Sequence, residues 1–212
     1  MSVTRMPFAN LFKWLSGLFG KKKHFSLGLY GNPSVGKSTL ANRISKDWTG
    51  EEMSEVSEIP HTTRAVVKKE RVRIKLNGQE LTMNLLDMPG IATKVDYKEF
   101  VKYGLKAEEA QQRAKEATRG IIEAIKWLEH VDVAMVVMDA TQDPYTQVNI
   151  TILGNLEARS IPVIIVANKM DLKKANADRI REAFPQHEVV EISALTGRNI
   201  QELYETVGKH AG

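Results

Sequence analysis

The chain has 212 residues, 26% of them charged and 42% hydrophobic, with no cysteine and a formal net charge of +4. That length supports one well-buried core with an appendage, and the lack of cysteine excludes a disulfide scaffold and any cysteine-ligated metal and makes a reducing cytoplasm the default location. The basic excess sits in residues 1–23, which hold Arg5, Lys13, Lys21, Lys22 and Lys23 and no acid; the remainder carries 25 basic and 26 acidic side chains, unlike the basic body of a nucleic-acid-binding domain.

Residues 1–23 precede the first predicted strand and are read as a separate tail, with the domain proper at 24–212. Phe8, Leu11, Phe12, Leu15, Leu18 and Phe19 fall on one face of a helix. Pro7 suits its first turn and Gly20 its end, and three lysines follow. An aromatic face with a basic flank suits an anionic membrane surface, so residues 7–23 are expected to place the protein peripherally on the cytoplasmic face. The alternative is that this face packs onto the domain. Lys13 interrupts the apolar core that a secretory signal needs, and Ser2 stands where N-myristoylation needs glycine. No apolar run approaches the roughly 20 residues of a membrane-spanning helix.

His24–Tyr30 alternates apolar and polar residues and predicts a strand. It leads into Gly31-Asn32-Pro33-Ser34-Val35-Gly36-Lys37-Ser38, followed by Thr39 and a predicted helix. Two glycines, a lysine and a serine at these offsets form a phosphate-binding pattern. The glycines allow backbone N–H groups to turn inward, the helix adds its positive end, Lys37 reaches the β- and γ-phosphates, and the Ser38 hydroxyl suits Mg²⁺. Trp48–Pro60 reads as a loop. Val66–Leu76 and Glu80–Leu86 read as strands joined at Asn77-Gly78, a hairpin signal. Residues 91–106 read as irregular. Ala107–His130 is a long predicted helix in which Gly120 marks a bend. Val131–Met138 is a buried strand ending at Asp139, and Gln147–Arg159 is helical. Ile161–Ala167 is a second buried strand, running into Asn168-Lys169-Met170-Asp171. A short helix over 178–184, a strand over Glu188–Ile192, the tripeptide Ser193-Ala194-Leu195 and a closing helix over Ile200–Lys209 complete the chain. Strands alternating with helices imply a layered α/β domain with a largely parallel sheet.

Three further signals fall at strand ends, where ligands of open α/β sheets bind. Asp87 ends an apolar strand, where its carboxylate suits Mg²⁺ through water, and Gly90 beyond it leaves an N–H for a γ-phosphate. Asn168 and Asp171 suit a guanine reader: a carboxylate accepts from the ring N–H and the exocyclic amine, which adenine lacks. Lys169 can lay its aliphatic stem over the base, and Ser193 and Ala194 can offer N–H groups to the guanine carbonyl. Thr62 and Thr63 lie in a loop from which one hydroxyl could reach Mg²⁺ when GTP is bound. Each signal alone is consistent with an ordinary turn or polar loop; their order along one chain is not.

With these residues in place, the sequence resembles the GTP-binding proteins of the translation-factor-related P-loop class. Gly31–Ser38, Thr63, Asp87–Gly90, Asn168–Asp171 and Ser193–Leu195 stand for that class's guanine-nucleotide motifs. Pro60-His61-Thr62-Thr63-Arg64 and Asp87-Met88-Pro89-Gly90 look most like the Era branch. The resemblance implies a P-loop G domain with a six-stranded mixed sheet flanked by helices on both faces. It also implies GTP and GDP as ligands, Mg²⁺ as cofactor held by Ser38, Thr63 and Asp87, and Lys37, Thr63 and Gly90 at the reacting phosphate. Asn32, Pro33, Ser34, Val35, Gly36, Thr39, Asn168, Lys169, Asp171, Ser193, Ala194 and Leu195 would surround the nucleotide. A KH domain is not expected after the closing helix. Ile91 stands where Ras-like members carry a catalytic glutamine, so slow unassisted hydrolysis is expected. Ser34 replaces an asparagine of potassium-activated relatives, so potassium activation is not expected. The tail resembles the amphipathic N-terminal helix of Arf-family GTPases. The expected function is a nucleotide-dependent GTPase switch at a membrane, with an unknown effector or activating protein. The alternatives are an Era-like RNA- or ribosome-associated assembly GTPase and a nucleotide-gated adaptor with little hydrolysis.

Overall fold

The computed structural model describes residues 24–53, 65–76, 79–91 and 96–210. The predicted tail helix, Thr62, Thr63 and Arg64, and the Asn77-Gly78 turn lie outside the described residues. Six strands form one sheet: β1 (His24–Tyr30), β2 (Val67–Leu76), β3 (Gln79–Asp87), β4 (Val133–Asp139), β5 (Val163–Asn168) and β6 (Glu188–Glu191). Their order is β2-β3-β1-β4-β5-β6. Only β2 runs antiparallel, pairing with β3 from Leu76↔Gln79 to Val67↔Asp87 across a register shift between Lys69 and Val72. Every other pairing is parallel. The carboxyl ends of β1, β3, β4, β5 and β6 therefore share one edge of the sheet.

The helices are α1 (Lys37–Thr49), α2 (Tyr97–Lys102), α3 (Ala107–Lys126), α4 (Gln147–Glu157), α5 (Asp178–Ala183) and α6 (Ile200–His210). Period-2 alternation along the strands divides the core into two layers. Leu27, Leu29, Met83, Leu85, Met135, Val137, Ile164 and Val166 face α1 and α6, meeting Leu40, Ile44, Leu203 and Val207. Tyr30, Leu86, Val136, Met138, Ile165 and Ala167 face α3, α4 and α5, meeting Ala124, Ile152, Leu156 and Ile180. Both faces of β4 and β5 are covered and every residue in them is buried, as expected of central parallel strands.

Three of the differences from the sequence reading have a visible local cause. The first helix continues through Trp48 and Thr49, because Gly50 caps it in the left-handed conformation and donates its N–H to Lys46. Residues 91–106, read as irregular, contain α2. Asp96 caps that helix by accepting from the Lys98 N–H at 2.9 Å, and Phe100 anchors it, 1% exposed. The Ala107–His130 helix continues to Lys126 and closes in a 3₁₀ turn over Trp127–His130; Gly120 is one of its buried small residues, and the helix is unbroken there. Among the described residues, no helix is long and apolar enough to cross a membrane.

Candidate nucleotide-binding site

The loop from Gly31 to Gly36 leaves β1 and enters α1. Gly31 and Gly36 have φ of 144° and 97°, and a Cβ at Gly36 would lie 2.3 Å from Asn168 Nδ2. Ser34 holds a left-handed φ of 60° without being glycine, a strain that a functional loop can carry. Within this turn Lys37 folds back and donates to the Gly31 carbonyl at 3.2 Å and the Asn32 carbonyl at 2.7 Å. Lys37 is 5% exposed, and burial pulls its pKa down to about 8 against the opposing attraction of Asp87. The N–H groups of Val35, Gly36 and Lys37 donate to no group among the described residues. A buried cation inside a ring of open donors is an anion cradle.

Asp87, the last residue of β3, is fully buried, and neither carboxylate oxygen completes a hydrogen bond of ordinary geometry. Burial raises its pKa above the usual carboxylate range, while the neighbouring Ser38 hydroxyl and Lys37 ammonium oppose that shift. An unpaired buried carboxylate costs several kcal/mol by order of magnitude unless a cation or donor answers it. Asp87 beside Ser38 therefore fits Mg²⁺. Beyond it, Gly90 lies against the phosphate loop: a Cβ there would stand 2.8 Å from the Pro33 Cα. The Ile91 N–H donates to the Gly31 carbonyl at 3.1 Å, and the Ile91 side chain is buried in the core layer with Leu86 and Met88.

The residues expected from the sequence to read the base converge from two other strand ends. Asn168, at the end of β5, donates from Nδ2 to the Val35 carbonyl at 2.8 Å and accepts at Oδ1 from the Ala194 N–H at 2.9 Å. One buried amide thus joins the phosphate loop, the Asn168–Asp171 loop and the Ser193–Leu195 loop. Asp171 is exposed at the mouth of this loop. Ser193 is buried, and its Oγ accepts from the Thr196 N–H at 3.1 Å. The structure differs from the sequence expectation at Ala194, whose N–H already serves Asn168. The Leu195 N–H has no partner among the described residues, beside a side chain that is 72% exposed. Asn32, Pro33, Ser38 and Thr39 lie in or directly after the phosphate loop, as expected. Thr63 lies outside the described residues.

Sequence reasoning missed Asp139 and Arg43, and the distant partners of Lys169 and Asn32. Lys169 has a left-handed φ of 69°, and its ammonium pairs with Asp139 Oδ2 at 2.7 Å. Burial alone would raise the Asp139 carboxyl, but bonds from Lys169 and Thr141 outweigh it and hold the pKa below the usual range. Arg43 of α1 donates to the Ala194 carbonyl at 2.6 Å and the Leu195 carbonyl at 2.8 Å. Asn32 reaches α4, donating to Thr146 Oγ1 at 3.3 Å and Asn149 Oδ1 at 3.2 Å. An acid at the end of β4 in register with Asn168 was a readable signal for the first. Arg43 and Asn32 carry no motif that pairs them with partners more than 110 residues away.

Comparison with known proteins follows the same lines. Residues 26–169 match the family of 50S ribosome-binding GTPases. The chain is 30% identical over 200 residues to GTPase Der of Chloroflexus aurantiacus, covering 87% of this chain and 38% of that protein. It is 31% identical over 187 residues to GTPase Era of Clostridium acetobutylicum, covering 86% of this chain and 54% of that protein. The chain thus spans about half or less of the length of these relatives. Among solved structures, it is similar to Era in complex with MgGDPNP and nucleotides 1506–1542 of 16S ribosomal RNA, with a TM-score of 0.66 and 29% identity over 88% of this chain and 56% of that one. With its family signature spanning most of the sheet and the phosphate loop at its crest, the chain belongs to the 50S ribosome-binding GTPase family and has its six-stranded P-loop G-domain fold.

Proposed function

We propose that the chain is a guanine-nucleotide switch that hydrolyses GTP to GDP and phosphate. The observation that carries this reading is Asp87, a fully buried carboxylate that completes no hydrogen bond of ordinary geometry, set beside the buried Lys37 ammonium and the Ser38 hydroxyl, which answer its charge in part. A polyanion with its cation suits all three. Lys37 and the open loop amides neutralise the phosphates. Ser38 and Asp87, with Thr63, are the residues that would hold Mg²⁺, which would supply positive charge to the phosphates. Asp171 selects guanine, Lys169 flanks the base, and Leu195 offers its amide to the guanine carbonyl. A water attacks the γ-phosphate in line, with the Gly90 N–H beside the phosphate oxygens. No side chain among the described residues of this loop serves as general base, since Ile91 is turned into the core.

Single-turnover hydrolysis tests this reading. The expected outcome is GTP turnover near roughly 10⁻³ per second without a partner and no comparable turnover of ATP. Equal use of ATP, or several turnovers per second for the lone chain, would contradict it.

The role of residues 1–23 in this reading is peripheral attachment to an anionic membrane, supported by the aromatic helical face and its basic flank. A second reading is ribosome association, favoured by the family match and by the Era complex with ribosomal RNA. Sedimentation with anionic liposomes, with and without residues 1–23, separates the two. Tail-dependent lipid binding supports the membrane role. RNA binding that falls steeply with salt, in the absence of lipid binding, replaces it with the ribosomal one.

A further inference from the structure

The phosphate loop is tied at its first turn to a helix that contributes nothing to the family's nucleotide motifs. Asn149, in the first turn of α4, is 2% exposed. Its Nδ2 donates to the Pro144 carbonyl at 2.9 Å, and its backbone N–H donates to Thr146 Oγ1, the N-cap of α4, at 3.1 Å. Its Oδ1 accepts from Asn32 Nδ2 at 3.2 Å, and Thr146 Oγ1 accepts from the same nitrogen at 3.3 Å. The backbone carbonyl of Asn32 in turn receives the Lys37 ammonium at 2.7 Å. A short chain of hydrogen bonds therefore runs from a buried amide in α4, through one side chain of the phosphate loop, to the residue that faces the phosphates.

We propose that Asn149 is a positioning residue for phosphate binding that acts through Asn32. A buried asparagine offers two acceptor sites and two donors in fixed planar geometry, so it can orient a neighbouring amide in a way an apolar residue cannot. With Asn149 and Thr146 holding its side chain, Asn32 has a set backbone direction, and its carbonyl stays where Lys37 needs it. The loop is then shaped before nucleotide arrives, and less ordering is required on binding. The inference rests on the reading of Gly31–Ser38 as the phosphate site.

The test is a double-mutant cycle on GDP release, followed with a fluorescent GDP analogue. Asn32→Ala and Asn149→Ala are each expected to release the nucleotide about tenfold faster, the worth of one partly buried hydrogen bond. Together they are expected to release it no faster than Asn32→Ala alone, because that variant already removes the contact to Asn149. Thr146→Ser, which keeps the hydroxyl, is expected to release at the parent rate. The preference for GDP over xanthosine diphosphate is expected to stay unchanged, since the base site is untouched. Multiplying effects in the double variant, or a loss of base preference, would reduce Asn149 to a support for α4 and overturn the proposal. Should Asn149→Ala fail to fold, Asn32→Ala decides alone: an unchanged release rate overturns the proposal. Failure of the unmodified chain to bind GDP would instead overturn the phosphate-site reading itself.

Discussion

Lys37 keeps a charge where water scarcely reaches. Burial lowers its pKa to about 8 in the ligand-free protein, and phosphate oxygens placed beside it would raise it again. Binding then takes up a proton whenever the free lysine is neutral. The sign follows: GDP affinity is flat below about pH 7 and falls above pH 8 by up to about tenfold per pH unit. Equilibrium binding between pH 6 and 9 checks this, and affinity unchanged to pH 9 would contradict it. Asp87 is the complementary case, an acid whose burial raises its pKa until a cation answers it. At this scale the motif residues were legible because phosphate, Mg²⁺ and guanine each require particular atoms at particular offsets. The residues that orient them were not. Asp139 and Arg43, and the contact of Asn32 with α4, join distant parts of the chain, and local spacing holds no record of such contacts.

Strand ends decide where the site lies. β1, β3, β4 and β5 deliver Gly31, Asp87, Asp139 and Asn168 to one edge of the sheet, and Asn168 sews three of the resulting loops together. Replacing it with alanine would leave the Val35 carbonyl and the Ala194 N–H unpaired in a buried place. A loss of about 2–4 kcal/mol in unfolding free energy without nucleotide is expected, measurable by urea titration. A change within about 0.5 kcal/mol would mean that the loops hold their positions unaided. The long elements were readable because their periodicity is strong: β4 and β5 are continuous apolar runs, and the hairpin partners alternate. α2 was missed although its signals were present. Asp96 is a capping residue, and Tyr97, Phe100 and Val101 have helical spacing, but six residues ended by Tyr103-Gly104 are too few for periodicity to outweigh the surrounding polar residues. The helix owes its place to the burial of Phe100.

At the scale of the whole molecule, a core covered on both faces adjoins a more exposed stretch. The β4–β5 core is covered on both faces, whereas the stretch from Met88 to Lys106 leaves the sheet at the phosphate site, carries α2, and exposes Tyr103 by 52% and Val101 by 42%. Among the described residues it meets the phosphate loop through the Ile91 N–H and the close approach of Gly90 to Pro33. A γ-phosphate that engages Gly90 would therefore act first on this stretch and little on the core, the ordering of a segment by one phosphate group. The fold was legible at this scale because strand, turn and helix alternate along the chain; the partner was not, because exposed side chains record no particular surface. The measurement that tests the switch most directly is hydrogen exchange of the full chain in the GDP state and with a non-hydrolysable GTP analogue. The account predicts slower exchange over residues 88–106 with the analogue and no change in β4 and β5. Identical exchange over 88–106 in the two states, with both nucleotides shown to be bound, would contradict it.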